Sequence, residues 1–373
     1  MSIDALVLPV TAETLLTAAQ MVLGYIGLLF VGALLLPGVD RLGYALPSGD
    51  RKPYKLTGMT LFFYTHIVVG IGTVAFGLSL SPMITHFWSL LIVTNIVAFS
   101  WSFALYIWGK REGAESLSHG EGLPLPVWLK DIWFGNELNP TWLGVDIKMF
   151  MYQPSLIGVG LFVAAFAYLQ FEQLGTLTPQ MICFVAFWWI YLWTHYVKEE
   201  FMLSTWDVIS ENFGFMLVWG DLVYVPFFYC LPGWWIVGQA EPMTTPQWVG
   251  LVAFFSLSLA IFRQANWQKE RYKQNKEVRI WGGKAQTVGG RLLVSGWWGI
   301  GRKINYTGEI GVYSAFALCA GFAHWAPYIL PVSLIILLTQ RAARDDKKCR
   351  AKYGDVWVEY CQRVRFRIFP FFY

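Results

Sequence analysis

The segment 292–309, LLVSGWWGIGRKINYTGE, brings together side chains of the types that hold a nucleotide. It contains two adjacent indoles, a pair of cations, an amide and a phenol. Cations attract phosphate, amide and phenol groups hydrogen-bond a ribose, and indoles pack against an aromatic base. The segment therefore predicts one wall of a site for a phosphorylated ligand that carries an aromatic base. Its members are Trp297, Trp298, Arg302, Lys303, Asn305 and Tyr306.

Basic residues on both sides of this segment suit the same kind of ligand. Upstream, Lys269 and Lys273 are four residues apart and share one face of any helix, although a solvated basic face or a membrane anchor has the same pattern. Downstream, residues 341–373 are too few to form a domain and are expected to fold back on the rest of the chain. Their polar members include Arg341, Arg344, Asp345, Lys352, Tyr353 and Tyr360.

One carboxyl group, that of Asp221, lies inside the apolar run 208–237. A carboxylate at membrane depth is costly and is by default a functional group, the alternative being a structural hydrogen bond between helices. Gly220 and Pro226 in the same run predict a broken helix, and two phenols, Tyr224 and Tyr229, follow the carboxyl group.

A second acidic group lies between two apolar runs, in the sequence KEEFMLSTWD. It provides Glu199, Glu200 and Asp207. These side chains are either catalytic acids or partners of a helix dipole in a first turn, and the sequence favours neither.

The elements that must position these residues are membrane-spanning helices. Of 373 residues, 56% are hydrophobic and 14% are charged, against about 25% charged in ordinary soluble domains. Apolar runs of about 20 residues, long enough to cross a ~30 Å hydrocarbon layer, recur along the chain. They lie near 16–37, 57–81, 86–108, 153–171, 178–197, 208–237 and 246–262. A last stretch, 310–339, is interrupted by His324 and Pro327 and is predicted as two short helices. We expect an all-α bundle of about nine to ten transmembrane helices.

Loop charges predict the orientation of this bundle. Lys and Arg residues collect in every second loop, whereas loops 82–85, 172–177 and 238–245 contain none. Because cytoplasmic loops are enriched in these residues, the N-terminus is expected outside and the C-terminus in the cytosol. The five Cys and five His show no spacing typical of a disulfide framework or a zinc site, so neither is expected.

Several motifs in the same order resemble those of the sterol reductases that use NADPH. LLVSGWWGIGRKINYTGE is followed by RAARDDKKCRAKYG and by the terminal YCQRVRFRIFPFFY. DIWFGNELNP, residues 131–140, is similar to the second signature of this family, and FRQANWQK and FGFMLVWGDLVYVPF also match. The resemblance covers about residues 130–373.

The resemblance implies a helical membrane enzyme with a cytosolic NADPH pocket in its C-terminal half. Residues 1–150 would form N-terminal helices and a cytosolic loop, and 151–373 the catalytic region. Sterol would enter from the bilayer; membrane lipid is the other partner, no nucleic acid is expected, and the oligomeric state is open. One departure is Lys273, where the family usually has Arg, which loses bidentate phosphate geometry. Carried over by position, the cofactor contacts are Lys269, Lys273, Leu293, Trp298, Asn305, Tyr306, Asp345, Cys349, Lys352, Tyr353 and Tyr360.

The implied reaction adds a proton to an alkene and then a hydride to the resulting carbocation. The protein must supply an acid, and burial can keep a carboxyl group protonated at neutral pH. The acid candidates are Asp345, Tyr229, Tyr224, Asp221 and Glu200.

Branch features disagree on which double bond is reduced. RKINYT, QFEQLG and EEFMLSTWD resemble reductases of the side-chain C24 bond, Δ24(28) or Δ24(24(1)), which we favour from sequence. GDLVYVPF and YCQRV are closer to C14 reductases, and VRIWGGK to the C7 branch. More distant alternatives are an isoprenylcysteine carboxyl methyltransferase that binds S-adenosylmethionine and a non-enzymatic sterol-binding scaffold. The membrane is expected to be the endoplasmic reticulum in a eukaryote and the inner membrane in a bacterium.

Overall fold

The computed structural model describes residues 6–46, 49–111 and 124–372, and most of them are helical. Two short 3-10 helices, Glu199–Ser204 and Ala326–Tyr328, and a π-helical segment, Gly220–Phe228, interrupt the α-helices. The α-helices are α1 Ala12–Leu35, α2 Gly58–Phe76, α3 Ser81–Thr85, α4 Phe87–Arg111, α5 Val127–Phe134, α6 Ile147–Leu174, α7 Pro179–Val197, α8 Trp206–Ile209, α9 Phe215–Trp219, α10 Pro232–Val237, α11 Thr245–Gln274, α12 Trp297–Ile300, α13 Ile304–Leu318, α14 Ile329–Tyr353 and α15 Asp355–Arg363.

The strands form four two-stranded antiparallel hairpins in the described part of the chain. Each hairpin lies between helices, as expected for connections outside a helical bundle. The pairs are β1 Val39–Leu42 with β2 Pro53–Leu56, β3 Thr141–Trp142 with β4 Val145–Asp146, β5 Arg279–Ile280 with β6 Gly283–Lys284, and β7 Thr287–Val288 with β8 Leu292–Leu293.

Seven segments among the described residues are long and apolar enough to cross a membrane. This makes the protein a multi-pass membrane protein, as predicted. The segments are Ala12–Leu35, Gly58–Phe76, Phe87–Arg111, Ile147–Leu174, Phe215–Val237, Thr245–Gln274 and Ala326–Tyr353.

The last predicted pair of helices differs from expectation in length. The break between them is confirmed, because α13 ends at Leu318 and the next regular turn begins at Ala326. The prediction that both are short is wrong for α14, which has 25 residues. Helix α14 continues past its apolar half through the charged sequence RAARDDKKCRAKY, because these are good helix formers with no internal Gly or Pro.

The chain forms two compact units, the first from residues up to 177 with 188–238, the second from 178–187 with 239–373. Helix α6 is the centre of the first unit, and 78% of its most apolar 18-residue stretch is buried. Small residues allow close contacts to α6: a Cβ at Gly160 would lie 2.6 Å from Nε2 of His66. The first unit is therefore packed around α6.

The second unit is organised by α11 and α13. These two helices approach closely because Gly308 and Gly311 face α11: a Cβ at Gly308 would lie 2.4 Å from the Phe262 nitrogen, and one at Gly311 would lie 2.3 Å from Oγ of Ser258. Small residues at a helix contact are the usual means of close helix packing in membranes. The pair positions the N-terminus of α13, which follows the segment 292–303.

The helix that carries Asp221 is broken, as Gly220 and Pro226 predicted. It begins as α9, changes to π geometry at Gly220 and resumes as α10 at Pro232. Local π geometry inserts extra residues into a helix and occurs frequently at functional sites.

Candidate functional site

The tryptophan pair of the segment 292–309 is held by the end of α11. Nε1 of Trp298 donates to the Ala265 carbonyl at 2.7 Å, and Nε1 of Trp297 donates to Oε1 of Gln264 at 3.0 Å. The Trp297 backbone N–H donates to Oε1 of Gln268 at 3.0 Å. Leu293 and Trp298 belong to one buried cluster, so both predicted contacts lie in the same wall. The cluster comprises Ala265, Tyr272, Val278, Ile280, Leu293, Trp298 and Ile304.

The two predicted phosphate cations lie on the same stretch of α11. Nζ of Lys269 is 4.7 Å from the centroid of the Trp298 ring, a cation–π contact that fixes the ammonium over the indole. Nζ of Lys273 is 3.7 Å from Oε2 of Glu270, and its side chain is 47% exposed. Lys269 therefore contacts the tryptophan wall, and Lys273 follows one turn later on the same helix.

Lys303 forms an ion pair with Asp345, and this pair joins the segment 292–309 to α14. Burial of Lys303 would lower the pKa of its ammonium group, but the facing Asp345 carboxylate raises that pKa above its ordinary value. Sγ of Cys349 lies 3.8 Å from Oδ2 of the same carboxylate. The cofactor contacts implied by the family resemblance do not include Lys303. The two adjacent cations Arg302 and Lys303 were the sequence feature that could have indicated it.

Asn305 is the first polar residue of α13 inside the predicted site. Its Nδ2 donates to Oδ1 of Asn266 at 3.3 Å. Its own Oδ1 is buried and receives no hydrogen bond from any residue in the described part of the chain. Tyr306 is half-buried and lies in the electrostatic field of Lys303 and Asp345. Oδ1 of Asn305 is therefore an open acceptor two residues after Lys303, which pairs with Asp345.

The end of α14 and helix α15 complete the predicted set with aromatic rings. The Tyr353 and Trp357 centroids are 6.5 Å apart, and those of Trp357 and Tyr360 are 5.1 Å apart. Burial raises the pKa of the Tyr360 phenol above its ordinary value. Nζ of Lys352 lies 5.4 Å from the Tyr353 ring. Cys349, Tyr353 and Tyr360 belong to one hydrophobic cluster, so the structure brings these carried-over residues together.

Arg302 has a different task from the one its type suggested. Its Nη1 donates to the Val364 carbonyl at 2.7 Å and to the Arg365 carbonyl at 3.0 Å, and its Nη2 lies 3.9 Å from Asp346. Nε of Arg367 lies 2.6 Å from the same Asp346 carboxylate. The predicted folding back of the C-terminal tail is confirmed, and Arg302 anchors that tail. The cation pair Arg302-Lys303 is thus already used for contacts within the chain.

The other acid candidates lie in the first unit. Asp221 is 8% exposed, and among the described residues it makes no hydrogen bond or ion pair. The charges of Asp207 and Lys148 act on it through space. The rings of Tyr224 and Tyr229 meet edge to face with centroids 5.4 Å apart. The structure therefore places Asp221, Tyr224 and Tyr229 on one broken helix, whereas Asp345 lies in the second unit.

Glu200 and Glu199 have opposite environments. Oε2 of Glu200 pairs with Nε of Arg41 at 3.0 Å on the exposed surface. Glu199 is buried and accepts hydrogen bonds from the Gly58 N–H at 3.0 Å and from Nε2 of Gln153 at 2.9 Å. Burial raises the pKa of Glu199 to about 7, against the lowering effect of these hydrogen bonds. The acid candidate Glu200 is thus exposed, and the buried carboxyl group belongs to its neighbour Glu199.

An apolar cavity of about 160 Å³ adjoins the broken helix in the first unit. Its two hydroxyl groups are already engaged, because Tyr25 donates to the Pro154 carbonyl at 3.0 Å and Thr94 to the Leu90 carbonyl at 2.7 Å. The cavity therefore suits an apolar group. It is lined by Met21, Val22, Tyr25, Ile26, Met83, Leu90, Thr94, Pro154, Gly158, Leu161, Phe162, Leu222, Pro226 and Phe227.

Multiple membrane-spanning helices, a polar cluster in the second unit and an unpaired buried carboxyl group in the first are features expected of a membrane-embedded enzyme. The model of the family described as "Ergosterol biosynthesis ERG4/ERG24 family" matches residues 4–373. The chain belongs to this family and is a sterol reductase, an oxidoreductase of sterol biosynthesis. The sequence resemblance is thereby confirmed.

Relatives named as sterol reductases align with at least 90% of the chain. A Delta(14)-sterol reductase of Arabidopsis thaliana is 35% identical over 357 residues, covering 94% of this chain and 94% of the relative. A Delta(14)-sterol reductase of Methylotuvimicrobium alcaliphilum is 37% identical, covering 90% of this chain and 79% of the relative. A probable 7-dehydrocholesterol reductase of Acanthamoeba polyphaga mimivirus is 32% identical, covering 90% of this chain and 76% of the relative.

Proposed function

We propose that this protein uses NADPH to saturate the C14 double bond of a sterol. The observation that carries the position of the bond is the set of relatives named Delta(14)-sterol reductase in a plant, a bacterium and the mouse, at 33 to 37% identity. These relatives support the C14 alternative better than the side-chain C24 bond that the sequence motifs favoured. A C7 reductase is the second candidate, because the mimivirus relative bears that name.

The residues of the second unit fit NADPH in charge and in hydrogen-bonding type. Lys269 and Lys273 supply cations for its phosphates, and the open Oδ1 of Asn305 accepts a donor such as a carboxamide or a ribose hydroxyl. The ion pair of Lys303 with Asp345 fixes the N-terminus of α13 against α14. When bound, NADPH supplies a hydride. The remaining carried-over contacts are Leu293, Trp298, Tyr306, Cys349, Lys352, Tyr353 and Tyr360.

Asp221 is the acid we favour among the five candidates. Glu200 pairs with Arg41 at the surface, and Asp345 pairs with Lys303, so both already balance a cation. Tyr224 and Tyr229 lie on the same broken helix as Asp221 and remain the next candidates. Protonation of C15 would leave the positive charge on C14, the more substituted carbon, where a hydride then completes the saturated bond. The proton comes from the acid, and the electron pair of the new C14–H bond comes with the hydride.

The same proposal includes the orientation of the chain. Basic loops and the cofactor residues would face the cytosol, in the endoplasmic reticulum of a eukaryote or the inner membrane of a bacterium. Helices α7 and α13, with 19 and 15 residues, are the two that would raise the seven crossings to the predicted nine.

Purified protein incubated with NADPH and separate Δ14, Δ7, Δ24 and Δ24(28) sterols tests the proposal, with products followed by mass spectrometry. We expect the Δ14 sterol to gain two hydrogen atoms and the others to remain. Reduction of the Δ7 or a side-chain sterol instead would move the bond position. Thermal stabilisation by S-adenosylmethionine alone would favour a methyltransferase, and cofactor-independent sterol binding without reduction would favour a scaffold.

A further inference from the structure

The segment DIWFGNELNP, residues 131–140, which resembles a signature of the family, lies in the first unit. It is hydrogen-bonded to the chain just before the broken helix. Nδ2 of Asn212 donates to the Gly135 carbonyl at 3.1 Å, and the Phe213 N–H donates to the Glu137 carbonyl at 2.8 Å. Nδ2 of Asn139 donates to the Val208 carbonyl at 3.2 Å. Three hydrogen bonds, each to a main-chain carbonyl, therefore tie this signature to the segment 208–213.

The two backbones touch at a pair of glycines. A Cβ at Gly214 would lie 2.2 Å from the Gly135 nitrogen, and a Cβ at Gly135 would lie 2.4 Å from the Phe213 carbonyl carbon. Gly135 also has a φ of +90°, which favours glycine. Neither position has space for a side chain, so the two segments meet main chain to main chain.

Lys148 holds the same segment through two further hydrogen bonds. Its side chain is fully buried, and its Nζ donates to the Asp207 carbonyl at 2.7 Å and to the Glu211 carbonyl at 2.6 Å. A buried ammonium group is costly unless it is hydrogen-bonded. Here the partners are two carbonyls of one short segment, so the lysine fixes the path of the chain between residues 207 and 211.

The signature itself is anchored at both ends. Asp131 pairs with Lys110 of α4 at 2.8 Å, and Nζ of Lys52 donates to the Asn139 carbonyl at 2.7 Å. Lys52 also pairs with Asp146 at 2.6 Å, one residue before α6. The signature is thus a fixed support against which the segment 207–214 can be held.

A short helix, α9, connects the held segment to Asp221. Phe215, at the start of α9, lies between the rings of Trp133 and Phe99, with centroid distances of 5.3 and 4.6 Å. At the end of α9, Nε1 of Trp219 donates to Oδ1 of Asn95 at 2.9 Å. Asp221 follows two residues later, in the first turn of the π-helical segment.

We propose that the signature 131–140, with Asn212 and Lys148, is a latch that sets the position of the Asp221 carboxyl group. Asn212 and Lys148 are positioning residues: both hold the main chain of 207–214, and neither touches the reacting atoms. The charge of Lys148 also acts on Asp221 through space, so Asn212 is the cleaner position for a test. This inference rests on the proposed function, in which Asp221 supplies the proton. It assigns to this signature a task separate from cofactor binding.

The test is Asn212→Leu, which keeps the approximate shape of the side chain and removes its hydrogen bond. Because misplacement of a reacting group by about 1 Å can cost about 10²-fold, we expect kcat at saturating NADPH and sterol to fall about 10- to 100-fold. The Kd for NADPH, followed by tryptophan fluorescence, should stay within about twofold, since Asn212 contributes no group to the proposed cofactor residues.

The matched control is Gln170→Leu. Gln170 is also a buried amide of the first unit that donates to main-chain carbonyls, those of Ile236 at 2.9 Å and Val237 at 3.4 Å, at the far end of the same broken helix. Both variants should lower Tm, but only Asn212→Leu should lower kcat. If Asn212→Leu does not fold, Asn139→Leu removes one bond of the same latch and should lower kcat about 10-fold with NADPH binding kept.

The possible outcomes separate the two proposals. A wild-type protein that reduces no sterol refutes the proposed function. A wild-type protein that reduces sterol, together with latch variants that keep wild-type kcat or that lose kcat no more than Gln170→Leu does, refutes the latch. Parallel loss of NADPH affinity and kcat in the latch variants would also refute it.

Discussion

The segments 131–140 and 292–309 both carry the family resemblance, but they use their polar groups differently. In the first, the hydrogen bonds to the segment 208–213 each involve a main-chain carbonyl: Asn139 donates to the Val208 carbonyl, and the Gly135 carbonyl accepts from Asn212. In the second, Trp298 and Arg302 also donate to main-chain carbonyls. The segment differs in its side-chain pairs, because Lys303 pairs with Asp345 and Asn305 donates to Asn266.

The difference separates a support from the binding surface that we propose. A hydrogen bond to a main-chain carbonyl fixes the path of the chain, so its replacement by a ligand requires the backbone to move. A side-chain pair can open and form again around a ligand at the cost of a few rotamers. Resemblance in a motif therefore does not by itself mark a binding site, and the partners of its polar groups decide the matter.

The largest expected effect comes from Asp221→Asn, which tests the function of the supported segment. If Asp221 supplies the proton, kcat should fall about 10²- to 10⁴-fold, the usual contribution of a general acid. The Kd for NADPH should stay near that of the wild type. Wild-type turnover would remove Asp221 as the acid and leave Tyr224 and Tyr229 to be tested by Phe substitution.

Asp345→Ala tests the binding surface. It leaves Lys303 buried without its carboxylate, so the end of α13 loses its fixed contact to α14. We expect kcat/KM for NADPH to fall about 10²-fold. The control is Glu277→Ala, which breaks the exposed pair with Lys284 and should change nothing measurable. Equal effects of both variants would contradict a specific role for the Lys303–Asp345 pair.

The neighbours Glu199 and Glu200 test whether burial in the first unit controls the pH dependence of stability. The folded-state pKa of Glu199, about 7, lies above the ordinary value of 4.5, so the folded protein binds more protons between these values. The free energy of unfolding should therefore fall by up to about 3 kcal/mol as pH rises from about 4.5 to 7.

Thermal melting in detergent at pH 5 and pH 8 measures this fall. Glu199→Gln should flatten the dependence of Tm on pH, whereas Glu200→Gln should keep it, because Glu200 is exposed and paired with Arg41. An unchanged dependence in Glu199→Gln would contradict the assignment.

The smallest expected effect is that of Lys273→Arg. If residue 273 touches a phosphate, the planar guanidinium can bind it with two hydrogen bonds where the ammonium is a point charge. The Kd for NADPH should then fall a few-fold. Lys276→Arg, on the same basic stretch and over the Tyr272 ring at 4.0 Å, is the control and should leave the Kd unchanged.

Local features of the fold were predictable from sequence, and long-range pairings were not. Gly220 and Pro226 predict the broken helix because they disturb helical hydrogen bonds within a few residues of themselves. The use of Arg302 for the tail depends on residues 62 and 63 positions away. The bond between Asn212 and Gly135 joins residues 77 positions apart. No sequence periodicity encodes such pairs. From side-chain type alone, Arg302 was predicted to bind a ligand and Asn212 was assigned no role.

The same substitution in the two segments tests the central distinction most directly. Asn305→Leu and Asn212→Leu each replace an amide that donates one hydrogen bond and whose Oδ1 is buried. The Kd for NADPH of both proteins is measured by tryptophan fluorescence beside Tm. We predict that Asn305→Leu weakens NADPH binding at least 10-fold, about 1.4 kcal/mol, with Tm nearly kept. Asn212→Leu should keep the Kd and lower Tm. The reverse pattern, or equal losses of NADPH affinity in both proteins, would contradict the distinction between a support and a binding surface.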